Sequence, residues 1–213
     1  MLQPPLSDVE TRVLGALLEK ELTTPDAYPL SLAGLVTACN QTTNREPVTR
    51  LTDDEAIAAA VAMRRRGLVN TSTPAGSRVT KYNHLLGDAM RLGRGERAIL
   101  AVLMLRGPQT VGELHARTGR LADFVDLDQI EGVLESLATR DPSPLVVQLA
   151  RRPGQKETRW GHLLAGEPTM PEPDERAPSS RPVDDTLAQR VELLEAEVAA
   201  LKAVVDQLRP LLG

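Results

Sequence analysis

The feature that most constrains this chain is an internal duplication. Residues 96–105, ERAILAVLML, repeat the pattern of the segment from Ser7 to about Glu21, so that Glu10, Val13, Leu14, Leu17 and Leu18 match Glu96, Ile99, Leu100, Leu103 and Met104. The apolar positions recur at helical spacing, and Ser7 with Glu10 forms a capping box. A second helix follows in each half, Ser31–Cys39 and Thr110–Arg117, the latter opened by the Thr110–Glu113 box. A third comes next, from Asp53 to Arg66 behind the Thr52–Glu55 box, and from about Leu127 to Arg140. Ile57, Ala60 and Val61 correspond there to Ile130, Val133 and Leu134.

Each half then turns to strand signals. The first reads Leu68–Val69, a polar turn, and Val79–Tyr82; the second reads Leu145–Leu149, an Arg-Pro-Gly-Gln turn, and Glu157–Trp160. The halves close alike, on residues 81–86 (KYNHLL) and 159–164 (RWGHLL). Three short helices and a hairpin describe a winged helix-turn-helix, with the third helix as recognition helix and the hairpin as wing. The expected fold is therefore mainly α with small β wings (α+β), two winged helix-turn-helix domains in tandem at 1–92 and 93–164.

The rest of the chain differs in kind. Residues 165–185 contain prolines at 168, 171, 173, 178 and 182 among Glu, Asp and Ser, which predicts a disordered, extended linker. Over 186–212, Leu187, Val191, Leu194, Val198, Leu201, Val205, Leu208 and Leu212 alternate spacings of four and three. That is a heptad seam with Val at a and Leu at d, which favours a parallel two-stranded coil and hence a homodimer. Arg190 would face Glu195 of the second copy, and Glu197 would face Lys202. The other reading of the seam is an amphipathic helix folding back on its own domains.

Composition narrows function more than fold. The 213 residues are 41% apolar but include only four aromatic side chains, so Leu, Val and Ala must fill the cores and a stacking platform for single strands is not expected. Formal charge is −4, yet it is 0 over 1–92, +1 over 93–164 and −5 over 165–213. Any basic surface must therefore be local. One cysteine, Cys39, excludes an internal disulfide and suits a reducing cytosol. The opening residues MLQPPLSDVE do not read as a signal peptide, and no apolar run approaches the length of a membrane span, so a cytoplasmic protein without membrane association is expected. Catalysis has little support. His84, His115 and His162 are scattered, Cys39 sits on an apolar helix, and CxxC, HExxH and glycine-rich phosphate loops are missing. No cofactor, metal or catalytic residue is expected.

The candidate binding residues cluster in the first half. Asn40, Gln41, Thr42, Thr43, Asn44 and Arg45 form an unbroken polar run between helices two and three. Asn and Gln can pair with adenine and Arg with guanine. Arg50, Arg64, Arg65, Arg66, Arg78 and Lys81 lie near enough in sequence to supply phosphate contacts. Duplex DNA contact through Asn40, Gln41, Asn44, Arg45, Arg50, Arg64, Arg65, Arg78 and Lys81 is thus one expectation. A protein partner, or a purely structural connection of turn-forming Asn and Thr ahead of Pro47, are the others. The second half offers a basic wing (Arg151, Arg152, Lys156, Arg159), but its third helix carries Asp126, Asp128, Glu131 and Glu135, which would repel a phosphate backbone.

Several of these stretches carry a family resemblance. Ser7–Lys20, LLEKELTTPDAYPLSLAGLVTACNQTTNREPV (17–48), GSRVTKY (76–82), LLGDAMRLGRGERAILAVLMLRGPQTVGELHART (85–118) and the heptad tail are similar to the YceH-like family of bacterial proteins. The resemblance covers essentially the whole chain. It implies two winged-helix domains in a bacterial cytoplasmic protein. It transfers no active residue, because the family is of unknown function.

Overall fold

A computed structural model describes residues 3–151 and 157–168 of the chain. The expected linker beyond Pro168, the heptad positions Leu187, Val191, Leu194, Val198, Leu201, Val205 and Leu208, and the wing residues Arg152 and Lys156 lie outside the described residues.

The described part is a mainly helical α+β fold. Its elements are α1 (Asp8–Thr23), β1 (Leu30–Ser31), α2 (Leu32–Cys39), α3 (Asp53–Arg65), β2 (Val69–Ser72), β3 (Lys81–His84), α4 (Leu86–Ala89), α5 (Arg94–Arg106), α6 (Val111–Thr118), α7 (Leu127–Ala138), β4 (Val146–Leu149) and β5 (Arg159–His162). The capping boxes read in the sequence are present. Ser7 N donates to Glu10 Oε2 at 2.8 Å, Thr52 N to Glu55 Oε2 at 2.8 Å and Thr110 N to Glu113 Oε2 at 2.9 Å, and each hydroxyl accepts the amide three residues on. At α5 the cap is Gly93, which has no hydroxyl, and only the returning bond from Gly93 N to Glu96 Oε2 (2.7 Å) remains.

Both hairpins sit later in the chain than the sequence suggests. Thr71 and Ser72, turn-prone by composition, pair with Tyr82 and Lys81, and Val79 lies outside the strands, exposed. The register is set by burial: Tyr82 and His84 alternate inward on β3, and slipping by one residue would turn both to solvent. Threonine also fits a pleated surface well. The sequence reading lacks β1, whose two residues are too few to show a pattern. Leu30 pairs with Tyr82, giving the sheet order β1-β3-β2. The second half reproduces this with an isolated bridge, Gln109 to Trp160, closed by bonds of 3.0 and 2.8 Å. Equivalent histidines occupy equivalent places, His84 opposite Val69 and His162 opposite Val146.

One hydrophobic core runs through both halves. The equivalent first helices pack on one another: Leu14, Leu17 and Leu18 of α1 and Ile99, Leu100 and Leu103 of α5 are fully buried in the same cluster. Gly15 permits the approach, since a Cβ there would lie 3.0 Å from Met104 Cβ and 3.1 Å from Leu105 Cγ. No helix among the described residues is long and apolar enough to cross a membrane.

Candidate functional site

The polar run after α2 is turned inward. Arg45 is 3% exposed. Its guanidinium meets Glu19 of α1 with both forks, Nη1 to Oε1 at 3.0 Å and Nη2 to Oε2 at 2.6 Å. The same side chain donates to the Ala38 carbonyl (3.0 and 2.8 Å), to the Asn44 carbonyl (2.9 Å) and to Gln41 Oε1 (3.0 Å). A guanidinium stays charged, so burial demands this full set of acceptors. Arg12 of α1 does the same work nearby, with Nη1 on the Cys39 carbonyl (3.2 Å) and Nη2 on the Pro47 carbonyl (2.6 Å). Burial, and then the charge of Arg45, lowers the Arg12 pKa.

The amides of the run are occupied as well. Asn40 caps the end of α2 and clasps Leu51, donating Nδ2 to its carbonyl at 2.8 Å and accepting its N–H at 2.7 Å. Gln41 Oε1 also lies 3.4 Å from Lys20 Nζ. Asn44 takes the left-handed conformation (φ 58°), which short polar side chains tolerate, and its Oδ1 accepts from Arg106 Nη1 of α5 at 3.1 Å. The expectation that Arg45 reads bases therefore does not hold in this geometry, because its donors are enclosed. Asn40, Gln41 and Asn44 spend amide groups on the protein's own backbone and side chains. The connection crosses between halves, with Glu46 N donating to the Leu105 carbonyl at 2.8 Å.

The remaining basic candidates stay outside. Arg64 and Arg65 are exposed at the end of α3, and Arg64 Nη1 donates to Thr71 Oγ1 on β2 at 3.1 Å. Arg78 is exposed in the hairpin turn and Lys81 is half-buried on β3, opposite Ser72 and one place from Thr71. Thr71 pairs with inward-facing Tyr82 and Ser72 with Lys81, so Arg64 meets the hairpin on the face opposite to Lys81. Arg50 is exposed ahead of α3, at the far end of that helix from Arg64. Arg66 turns away, to Glu10 (3.4 Å) and to the Pro4 carbonyl.

Away from its last turn, which carries Arg64 and Arg65, the outward face of α3 is not basic. Its first turn exposes Asp53, Asp54 and Glu55, and its middle exposes Ile57 (37%) and Val61 (38%). In the second half, Val125 is 81% exposed, Leu127 is 46% exposed, and Asp126, Asp128 and Glu131 surround them.

Sequence reasoning missed the buried and half-buried charges. Glu19, Arg12 and a second cluster, His84, Glu21 and Arg97, carried no motif. His84 Nε2 lies 3.0 Å from Glu21 Oε2, Arg97 Nη1 lies 3.1 Å from the same oxygen, and the Tyr28 hydroxyl accepts His84 N at 2.7 Å. One signal was available: α1 is apolar around most of its circumference, so charged residues within it had to be buried and paired. Cys39 is buried, and burial pushes its thiol up to about 12, far from a nucleophile's range.

Comparison with known proteins shows the family and is silent on chemistry. The model of a family described as "Protein of unknown function, DUF480" matches residues 6–155. A "UPF0502 protein" of Chromobacterium violaceum is 49% identical over 200 residues, covering 94% of this chain and 89% of the relative. Another from Geobacter sulfurreducens is 47% identical over 198 residues, covering 92% and 90%. The chain belongs to the DUF480 family.

Proposed function

We propose that each half is a winged helix-turn-helix module, and that the protein is an adaptor which binds another protein through its third helices. The observation that carries this is the chemistry of the outward faces of α3 and α7. A helix that reads a major groove presents Arg, Asn or Gln near its N-terminal end. Here those positions hold Asp53, Asp54, Glu55, Ile57 and Val61, and in the second half Asp126, Leu127, Asp128 and Glu131. Carboxylates repel phosphates, whereas exposed aliphatic side chains rimmed by carboxylates suit an amphipathic partner helix with basic flanks. The C-terminal heptads would pair two copies and double the binding surface.

Duplex DNA binding is the second reading, favoured by one specific feature: Arg64 and Arg65 are exposed at the end of α3 and Arg78 is exposed in the hairpin turn that follows. Such a wing could lie along phosphates without reading sequence. Anisotropy of a labelled random duplex, titrated with the full chain across salt concentrations, separates the two. The adaptor reading predicts no saturable binding even at low salt. It also predicts a partner retained by the wild type and released by the Ile57→Asp, Val61→Asp double variant, reproduced with that partner purified. Salt-dependent duplex binding abolished by Arg64→Ala, Arg65→Ala and Arg78→Ala together would contradict it. For the dimer, light scattering of a chain stopped at Asp185 should show a monomer where the full chain shows a dimer, and a truncated chain that stays dimeric excludes the heptads as its cause.

A further inference from the structure

A cleft of about 290 Å³ opens between the halves, walled by the end of α1, the polar run, α5, α6 and the turn after α6. Four cations line it: Lys20, Arg106, Arg117 and Arg120. The single carboxylate among its lining residues, Glu19, has both oxygens held by Arg45 at 3.0 and 2.6 Å. That pair is neutral in sum, and the carboxylates that act on Arg117, Glu113 and Glu46, lie outside the lining, so cations outnumber carboxylates on the cleft wall.

Each of them has spare donors. Arg106 gives Nη1 to Asn44 Oδ1 (3.1 Å), and its Nη2 has no hydrogen bond among the described residues. Arg117 reaches Glu113 only at 3.8 Å, and that carboxylate is already taken by Arg159 at 2.7 and 3.2 Å. Arg120 is exposed and forms no ion pair among the described residues. Lys20 lies 3.5 Å from Glu19 and 3.4 Å from Gln41, leaving donor capacity. Burial, and then the charge of Arg106, depresses the Arg117 pKa, while the carboxylates of Glu113 and Glu46 oppose the shift. Beneath the cations, Val102, Leu105 and Leu121 form an apolar floor.

We propose that this cleft binds a small organic anion, its phosphate or carboxylate group held by Arg106, Arg117, Arg120 and Lys20 and its apolar body resting on Val102, Leu105 and Leu121. Planar guanidinium forks match both oxyanions with paired hydrogen bonds. The volume is at the small end for ligand sites, which selects a metabolite-sized molecule over a polymer strand. The polar run thereby gains a role the sequence did not show: it closes one side of the cleft and holds Arg106 in place through Asn44. Because both halves wall the cleft, an occupant would bind them together. The inference does not depend on what α3 binds.

The test is calorimetric titration of the full chain at fixed ionic strength with phenyl phosphate, benzoate and inorganic phosphate. Saturable one-site binding of phenyl phosphate or benzoate in the millimolar range or tighter is expected, and which of the two binds better identifies the acidic group. Arg120→Gln, an exposed change that leaves the fold intact, should weaken that binding about tenfold, the size of one charge-assisted contact. Arg65→Gln, outside the cleft, should leave it unchanged. Melting temperature should rise with ligand concentration in wild type, and rise less in Arg120→Gln. No saturable binding of either organic anion, equal binding by wild type and Arg120→Gln, or inorganic phosphate binding as tightly as phenyl phosphate would each overturn the proposal. So would duplex DNA competing for the same site.

Discussion

The two halves repeat their helices and their hairpins, and they diverge most between the second and third helices. In the second half, residues 119–126 close on their own module: Leu121 and Ala122 are buried, and the Phe124 ring lies so near α5 that a Cβ at Gly95 would be 3.2 Å from it. In the first half, residues 40–52 are anchored to their own module through Arg45 and Arg12 and also reach across it, bonding to Leu105 and Arg106 of α5. The contrast separates two ways of fixing a loop. Apolar side chains hold it by area and tolerate small shifts, whereas a buried guanidinium requires named acceptors at fixed distances. What the duplication left unshared is what ties the halves.

Replacing the strap's anchor should therefore cost most. Arg45→Ala leaves Glu19 partly buried without its partner and strips the acceptors of residues 38–44, a loss of about 3–5 kcal/mol. Arg159→Ala in the second half removes a pair whose side chains are 28% and 30% exposed, and should cost no more than about 1 kcal/mol. Urea unfolding measures both, and equal losses would erase the contrast.

The equivalent histidines sharpen it on a pH axis. Burial lowers His84, but Glu21 opposes the shift, whereas burial alone pushes His162 down to about 4. The unfolded imidazole takes up its proton near pH 6.5 and folded His162 does not, so stability present above that pH is lost as pH falls towards 4, by up to about 3 kcal/mol. Unfolding series at pH 7 and pH 4.5 should show a smaller drop for His162→Gln than for wild type.

Two glycines test the packing of the repeated helices. Gly15→Ala, forced against Met104 at 3.0 Å, should destabilise by about 1–3 kcal/mol. Gly132→Ala, with nothing near its added Cβ on α7, should stabilise by up to about 1 kcal/mol. Melting temperatures moving in the same direction would show that the α1–α5 contact is looser than described.

Much of the architecture was legible, because capping boxes and apolar spacing act locally and Ser7, Thr52 and Thr110 announce their helices alone. The hairpins were legible as elements but misplaced in register, since the inward turn of Tyr82 and His84 is a tertiary fact. The candidate site was largely illegible. A run of Asn, Gln and Arg looks the same whether its donors face solvent or a carboxylate such as Glu19, far away in sequence. The acidic first turn of α3 was visible throughout, and weighing Asp53, Asp54 and Glu55 against the nearby arginines would have tempered the expectation of DNA. Lys20, Arg106, Arg117 and Arg120 come from separate elements, and only packing brings them to one cleft.

Native-state hydrogen exchange tests the strap most directly. The Glu46 amide, bonded to Leu105, and the Leu51 amide, bonded to Asn40, should be protected to the same degree as the core amides of α1 and α5. Exchange of those two amides at the rate of an open loop, with α1 and α5 still protected, would contradict the account.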